Sequence, residues 1–251
     1  MNQIKTCRSG ILLLILLLVV MSIAGGCAAQ SGEEKSAADQ TNGGEDLLQE
    51  SWVTRKADPL SAEELSGDCL ILVNKLHPVE KGEPDDLVYA PYYADRSGTY
   101  NRYIRKEACE AYGRLVEAAK TDGYDIRLTS AFRTYDVQKS YYDRYVQTKG
   151  QEWADKYSAK PGTSEHQTGL AIDVSSPSVN WELTDGFADT EEGRWLAAHC
   201  GEYGFIIRYP KGREEITGYS YEPWHIRYVG VAAAAEICGK DWTLEEYLAN
   251  L

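Results

Sequence analysis

His166 and Asp173 in the stretch SEHQTGLAID, and His225 in YEPWHIRYVG, are side chains whose types and spacing could offer a metal ion three donors. Leu170 and Ile172 alternate with Ala171 and Asp173, which is strand periodicity. If the apolar pair faces a core, Asp173 projects from the opposite face beside the small residues Ala171 and Gly169. Gly169 also lets the chain turn, so that His166 can fold back toward the Asp173 carboxylate. Taken alone, a His and an Asp at this spacing are more often polar groups of a loop than metal ligands. Further along, Trp224, Ile226 and Tyr228 alternate with His225 and Arg227, so His225 leaves its strand on the face away from the apolar row. Three positions before it stands Glu222, kept extended by Pro223. A hydrolytic zinc site needs three protein ligands, an open position, and a carboxylate that takes a proton from water without binding the metal. His166, Asp173 and His225 meet the first requirement and Glu222 the last. Of the 4 histidines in the chain, His77 and His199 have no such company. His199, beside Cys200 in a helical stretch, reads as structural.

The elements that must position these groups are mixed. YIRKEACEAYGRLVEAAKTDG has Tyr103, Ala108, Ala111, Leu115 and Ala118/Ala119 at helical spacing and stops at Gly123. YDIRLTSAF alternates as a strand, DVQKSYYDRYVQTKG reads as a helix ending at Gly150, and QEWADKYSA as another. GLAIDVS, FIIRYP and HIRYVG read as short strands, and Thr190 to Cys200, VAAAAEIC and TLEEYLANL as helices. Thr243 and Glu246 stand at capping-box spacing, as do the Ser and second Glu of SAEEL after Leu60. Short strands mixed with helices, without a strict βαβ rhythm or an internal repeat, predict an α+β domain with a small, largely antiparallel sheet. Tyr141, Tyr142 and Tyr145 form a tyrosine-rich helix face that reads as packing.

At 251 residues and 43% hydrophobic composition, the chain is long enough for one well-sized core. A formal charge of -13, with no Lys/Arg-rich run to offset it, argues against a nucleic-acid surface. The N-terminus carries Lys5 and Arg8, then the apolar run ILLLILLLVVMSI, then AGGC. That is an export signal, too short for a comfortable membrane span, and it resembles a bacterial lipobox in which Cys27 is lipidated, with Ala24 as one departure. The expected organisation is a signal peptide over residues 1–26, a flexible acidic linker over 27–59 and a folded domain over 60–251. The linker AAQSGEEKSAADQTNGGEDLLQE has too few large apolar residues to order itself. Cys69, Cys109, Cys200 and Cys238 remain after the signal and the lipidated Cys. Free thiols and disulfides are both open, with no CxxC clustering to suggest a cysteine metal site.

Three ordered motifs resemble one family. SEHQTGLAID is similar to the S-x-H-x-x-G-x-A-x-D motif, and EPWH to the E-x-x-W-H motif, of the VanY-type zinc D-alanyl-D-alanine carboxypeptidases and the LdcB-type L,D-carboxypeptidases. LTSAFRTYDVQ resembles the S-G-[YF]-R-[ST]-x-x-x-Q signature of the same family, with Ala131 in place of the usual Gly. LILVNKLHP resembles the family's start, so the likeness runs from about Leu70 to Tyr247. It implies an α+β zinc-peptidase domain with the sheet carrying the site, zinc held by His166, Asp173 and His225, and Glu222 as general base. Arg133, just past a strand end, is the candidate for stabilising a developing oxyanion, with a surface salt bridge as its alternative. Gln138 and Ser164 match positions that line the family's substrate groove.

The implied activity is removal of the C-terminal D-Ala from peptidoglycan stem peptides. Cleavage of D-Ala-D-Ala is the favoured reading, and L,D-cleavage of tetrapeptide stems is the alternative. An endopeptidase of the same metal chemistry, or a non-catalytic peptidoglycan-binding lipoprotein, are the rivals. The expected setting is extracytoplasmic, attached to the membrane through the lipid and facing the cell wall. Oligomeric state is not legible.

Overall fold

The computed structural model describes residues 52–94 and 102–251. The expected signal peptide, Cys27 and most of the linker lie outside these residues. Among the described residues, no helix is long and apolar enough to cross a membrane.

The centre of the fold is a four-stranded antiparallel sheet in the order β3-β4-β6-β5, made of β3 (Arg127–Ser130), β4 (Ala171–Ser175), β5 (Phe205–Tyr209) and β6 (Glu222–Tyr228). A separate hairpin pairs β1 (Leu87–Tyr89) with β2 (Tyr103–Arg105). The helices are α1 (Ala62–Leu65), α2 (Lys106–Thr121), α3 (Tyr135–Lys149), α4 (Gln151–Tyr157), α5 (Glu191–His199), α6 (Glu214–Thr217), α7 (Val231–Lys240) and α8 (Leu244–Ala249). This is the α+β arrangement expected from the alternating short strands and helical stretches.

Helix α2 explains one face of the sheet. Its Ala108, Ala111, Tyr112, Leu115, Val116 and Ala119 recur at three- and four-residue steps, are buried, and form a single stripe. That stripe packs in the main core with Leu128, Ile172, Val174, Phe205, Ile226 and Tyr228 from the strands. Because side chains alternate across a strand, the residues between these must project the other way. Ala171, Asp173, His225 and Arg227 do so. Ile206, paired with Arg227, joins a second core made with Leu72, Val229, Ala233, Ile237, Leu244 and Leu248, chiefly from α7 and α8. The sheet is therefore buried on both faces, and β4 is buried along its whole length.

Two expectations need correction. Tyr103 continues the apolar spacing of α2, yet Tyr103–Arg105 is strand, because pairing with Leu87–Tyr89 satisfies its backbone. Ordered structure also starts before the expected boundary near Leu60. Trp52–Thr54 forms a 3-10 turn with Val53 buried in the second core, and the Trp52 ring meets the His77 ring edge-on. Those two apolar residues end a polar stretch, and their contacts are with distant segments. Both predicted capping boxes form, at Ser61 with Glu64 and at Thr243 with Glu246.

Candidate metal centre

Asp173 on β4 and His225 on β6 are directly paired across the sheet, and Ser130 of β3 is paired with Asp173 on the other side. Register alone thus sets the first two donors side by side. His166 arrives from the 3-10 turn Glu165–Thr168, which Gly169 ends at φ 67, a left-handed conformation. A Cβ at Gly169 would stand 2.8 Å from Leu87 Cδ2 and 3.1 Å from Arg105 Cγ, so the hairpin closes against this turn at a spot where only glycine fits. The segment Ala131–Arg133 locks the turn from the other side. Arg133 N–H donates to His166 O at 3.0 Å, and Phe132 N–H donates to Tyr103 O at 2.9 Å.

The three side chains converge. His166 Nε2 lies 3.3 Å from Asp173 Oδ2, and His225 Nδ1 lies 2.9 Å from Asp173 Oδ1. One donor atom from each of the three residues falls within 4.8 Å of the others, and all three residues are buried. His166 Nδ1 is 2.7 Å from Ala131 O. A carbonyl only accepts, so Nδ1 carries the proton and Nε2 keeps its lone pair facing Asp173. Two ligands each about 2.0–2.1 Å from a zinc ion stand about 3.4 Å apart at a tetrahedral angle. Two imidazole nitrogens and a carboxylate, spaced as observed, fit that ion. Burial pushes the Asp173 carboxyl up, but His166 and His225 outweigh it and hold Asp173 well below the usual carboxylate range. His166 is shifted down, chiefly by burial.

The far nitrogen of His225 faces Glu165, with Nε2 3.5 Å from Glu165 Oε2. Glu165 has no exposed side-chain surface, and it is the least expected member of the site. Arg208 Nε and Arg227 Nη1 donate to its Oε1 at 2.7 and 2.6 Å. Burial raises the Glu165 carboxyl, but the two guanidinium groups hold it well below the ordinary value. Arg208 in turn makes a bidentate pair with Glu245 of α8, at 2.9 and 2.7 Å, and Asn74 Nδ2 donates to Glu245 Oε1 at 3.1 Å. Arg227 Nη2 donates to the carbonyls of Cys69 and Ile71 at 2.8 and 2.7 Å. A chain of buried charge therefore runs from the metal-site imidazole to the last helix. Nothing in the spacing of the sequence singles out Glu165. Only Arg227, alternating with His225, hinted that charge shares this face.

Glu222 opens β6 at the rim, its side chain 31% exposed, with Oε2 3.8 Å from His225 Nδ1. Burial among the cavity walls pushes its carboxyl up to about 7, against the pull of His225. Arg133 Nη1 donates to Gln138 Oε1 at 2.8 Å and Nη2 to Ser130 Oγ at 3.2 Å, while Gln138 Nε2 donates to Ala159 O at 2.6 Å. Gln138 thus braces Arg133 as well as bordering the cleft. Ser164 lies at the head of the 3-10 turn without capping it. All seven residues singled out in the sequence, His166, Asp173, His225, Glu222, Arg133, Gln138 and Ser164, border one cavity of about 390 Å³. Tyr141 and Tyr145, expected to pack, line it too, as do Tyr209 and Tyr219. His77 is instead bonded to Asn74, and His199 to Glu202.

An α+β sheet that presents two imidazoles and a carboxylate at the floor of an open cleft, with a second carboxyl at its rim, has the make-up of a metallopeptidase. The chain belongs to the VanY family: the family model described as D-alanyl-D-alanine carboxypeptidase matches residues 101–231. It is 45% identical over 199 residues to the putative carboxypeptidase YodJ of Bacillus subtilis (strain 168), covering 78% of this chain and 73% of that protein. Among solved structures it is similar to the LdcB LD-carboxypeptidase, with a TM-score of 0.72 and 45% identity over 77% of this chain and 92% of that one. It is also similar to the vancomycin-resistance D,D-pentapeptidase VanY in complex with Zn(II), with a TM-score of 0.57 and 36% identity over 72% of this chain and 98% of that one.

Proposed function

We propose that this protein is a zinc-dependent carboxypeptidase that removes the C-terminal D-Ala from peptidoglycan stem peptides. The observation that carries the reading is the convergence of His166, Asp173 and His225 at the floor of a cleft whose rim holds Glu222 and Arg133. Family membership and the relatives' named activities support it.

His166 Nε2, an Asp173 oxygen and His225 Nδ1 are the atoms that would hold the metal. When bound there, zinc would supply Lewis acidity toward the scissile carbonyl and a lowered pKa for water. Glu222, its carboxyl raised into the range of a working base, takes the proton of the attacking water and passes it to the leaving amine. Arg133, fixed by Gln138 and Ser130, sets a permanent positive charge where the oxyanion develops. Ala131 O holds the His166 ring in its ligating tautomer, and the Glu165 carboxylate faces the far side of His225 at 3.5 Å. Ser164 borders the substrate cavity.

D,D-cleavage is the favoured specificity, in keeping with the description of the matching family model. L,D-cleavage is the second reading, favoured by the likeness to the LdcB enzyme. Chromatography and mass spectrometry of pentapeptide and tetrapeptide stems separate the two. Loss of one D-Ala from the pentapeptide supports the first, whereas an untouched pentapeptide beside a trimmed tetrapeptide supports the second. Cleaved cross-linked dimers with no free D-Ala would indicate an endopeptidase instead, and intact peptides throughout would indicate a binding protein.

The place of action follows from the N-terminal sequence. Export, lipidation of Cys27 and a leash through the linker would hold the domain outside the membrane, within reach of the wall. Labelling of cells with a radioactive fatty acid tests this, since a Cys27→Ala chain should take up no label.

A further inference from the structure

Among the cysteines, Cys200 and Cys238 stand apart. Cys200 begins the 3-10 turn Cys200–Tyr203 after α5 and is 1% exposed in the main core. Cys238 lies in the last turn of α7 and is exposed. The Cys238 side chain is laid against the turn that Cys200 begins. A Cβ added to Gly201 would stand 3.0 Å from Cys238 Sγ and 3.4 Å from Cys238 Cβ, so the missing side chain at Gly201 makes room for it. Each thiol is the other's principal ionisable neighbour. A cavity of about 360 Å³ opens beside them, lined by both cysteines with Ile206, Ile237 and Trp242 among its walls. The other two cysteines have different surroundings: Cys69 sits beside Asp68 and Glu107, and Cys109 Sγ faces Tyr89 O at 3.8 Å. All four are free thiols in this structure.

We infer that Cys200 and Cys238 form a redox-active pair that closes to an intramolecular disulfide, while Cys69 and Cys109 stay reduced. The asymmetry of the pair sets the order of events. Contact with Cys200 lowers the pKa of Cys238, and the same contact, together with burial, raises that of Cys200. The exposed Cys238 thiolate therefore attacks an exogenous disulfide, forming a mixed disulfide and releasing one thiol. Cys200, losing its proton to solvent, then attacks Cys238 Sγ and expels the second thiol. Two electrons pass from the pair to the incoming disulfide, which leaves as two thiols. The loop closed by this bond contains β5, α6 and β6, and so carries both Glu222 and His225. The oxidised form should keep these two residues in place at temperatures where the reduced form begins to lose them.

The test takes the full chain through a series of oxidised and reduced glutathione mixtures, with free thiols alkylated and disulfides located by peptide mass mapping. The expected result is one cross-linked peptide pair containing Cys200 and Cys238, with Cys69 and Cys109 alkylated. The thermal midpoint should rise by ~5–10 °C on oxidation. In Cys238→Ser, an exposed and conservative change, the link and the redox dependence of the midpoint should both vanish. Cys200→Ser should behave likewise, and its partner Cys238 should accumulate as the glutathione adduct. Alkylation of both cysteines under the most oxidising mixture, or a link to Cys69 or Cys109, overturns the inference. None of these readouts depends on zinc or on peptidase activity, so the result stands apart from the proposed function.

Discussion

Asp173 and His225 face each other as paired residues of adjacent antiparallel strands, with His225 Nδ1 2.9 Å from Asp173 Oδ1. Two of the three candidate ligands are thus fixed by backbone hydrogen bonding between strands buried in the middle of the sheet. Only His166 depends on a turn, and that turn is pinned by glycine, by the hairpin and by Arg133 N–H. A site built this way gives up little conformational freedom when a metal binds.

Replacing Glu222 with Gln should leave zinc content near one ion per chain while lowering kcat by ~10²–10⁴-fold. The amide keeps the shape of the rim and removes the proton acceptor. Metal analysis alongside stem-peptide hydrolysis checks both halves, and parental activity in the variant would sink the assignment of Glu222.

Arg133→Ala should reduce kcat by ~10²–10³-fold with zinc retained, the usual loss when a group that stabilises an oxyanion is removed. Gln138→Ala should show a smaller loss of the same kind, because Arg133 keeps its charge but loses the acceptor that aims it. If steady-state kinetics show the Gln138 variant changing only KM, Gln138 touches substrate and does not position Arg133.

Glu165→Gln should weaken zinc binding by ~10–100-fold, measured by competition with a chromophoric chelator. At saturating zinc, kcat should return toward the parental value, since Glu165 faces the side of His225 away from Asp173. A variant that binds zinc normally would show that Glu165 serves only to neutralise Arg208 and Arg227.

Stripping zinc should lower the thermal midpoint, and restoring free zinc to ~100 times its dissociation constant should return ~2.7 kcal/mol of stability. Calorimetry on chelated and reconstituted protein reads this directly. His166→Ala should abolish the zinc dependence, and a zinc-insensitive parent would argue against a built metal site.

The cluster was legible in the sequence wherever alternation fixed the facing of a side chain. Ile172 beside Asp173, and Ile226 beside His225, each separated an apolar face from a polar one, and the structure places the polar residues together. Spacing could not reveal Glu165. Its partners Arg208 and Arg227 come from β5 and β6, and an acid in a turn ordinarily faces water. Tyr103–Arg105 was misread for a related reason. Its local pattern suits the helix that follows, and the strand state is decided by pairing with Leu87–Tyr89 across the chain. Tyr141 and Tyr145 gave the right helix but the wrong surroundings, since a helical pattern reports which residues share a face and not what that face borders.

The ion pair between Arg208 and Glu245 couples the docking of α8 to the candidate metal centre. Glu245 is supplied by α8, and until that helix docks Arg208 lacks its bidentate counter-charge. A polypeptide truncated before Leu244 retains every metal-site candidate, yet leaves Arg208 and Arg227 to share the single buried acid Glu165 that faces His225. Any loosening of α8 is in this sense felt at His225, relayed through two buried arginine–glutamate contacts rather than through the sheet.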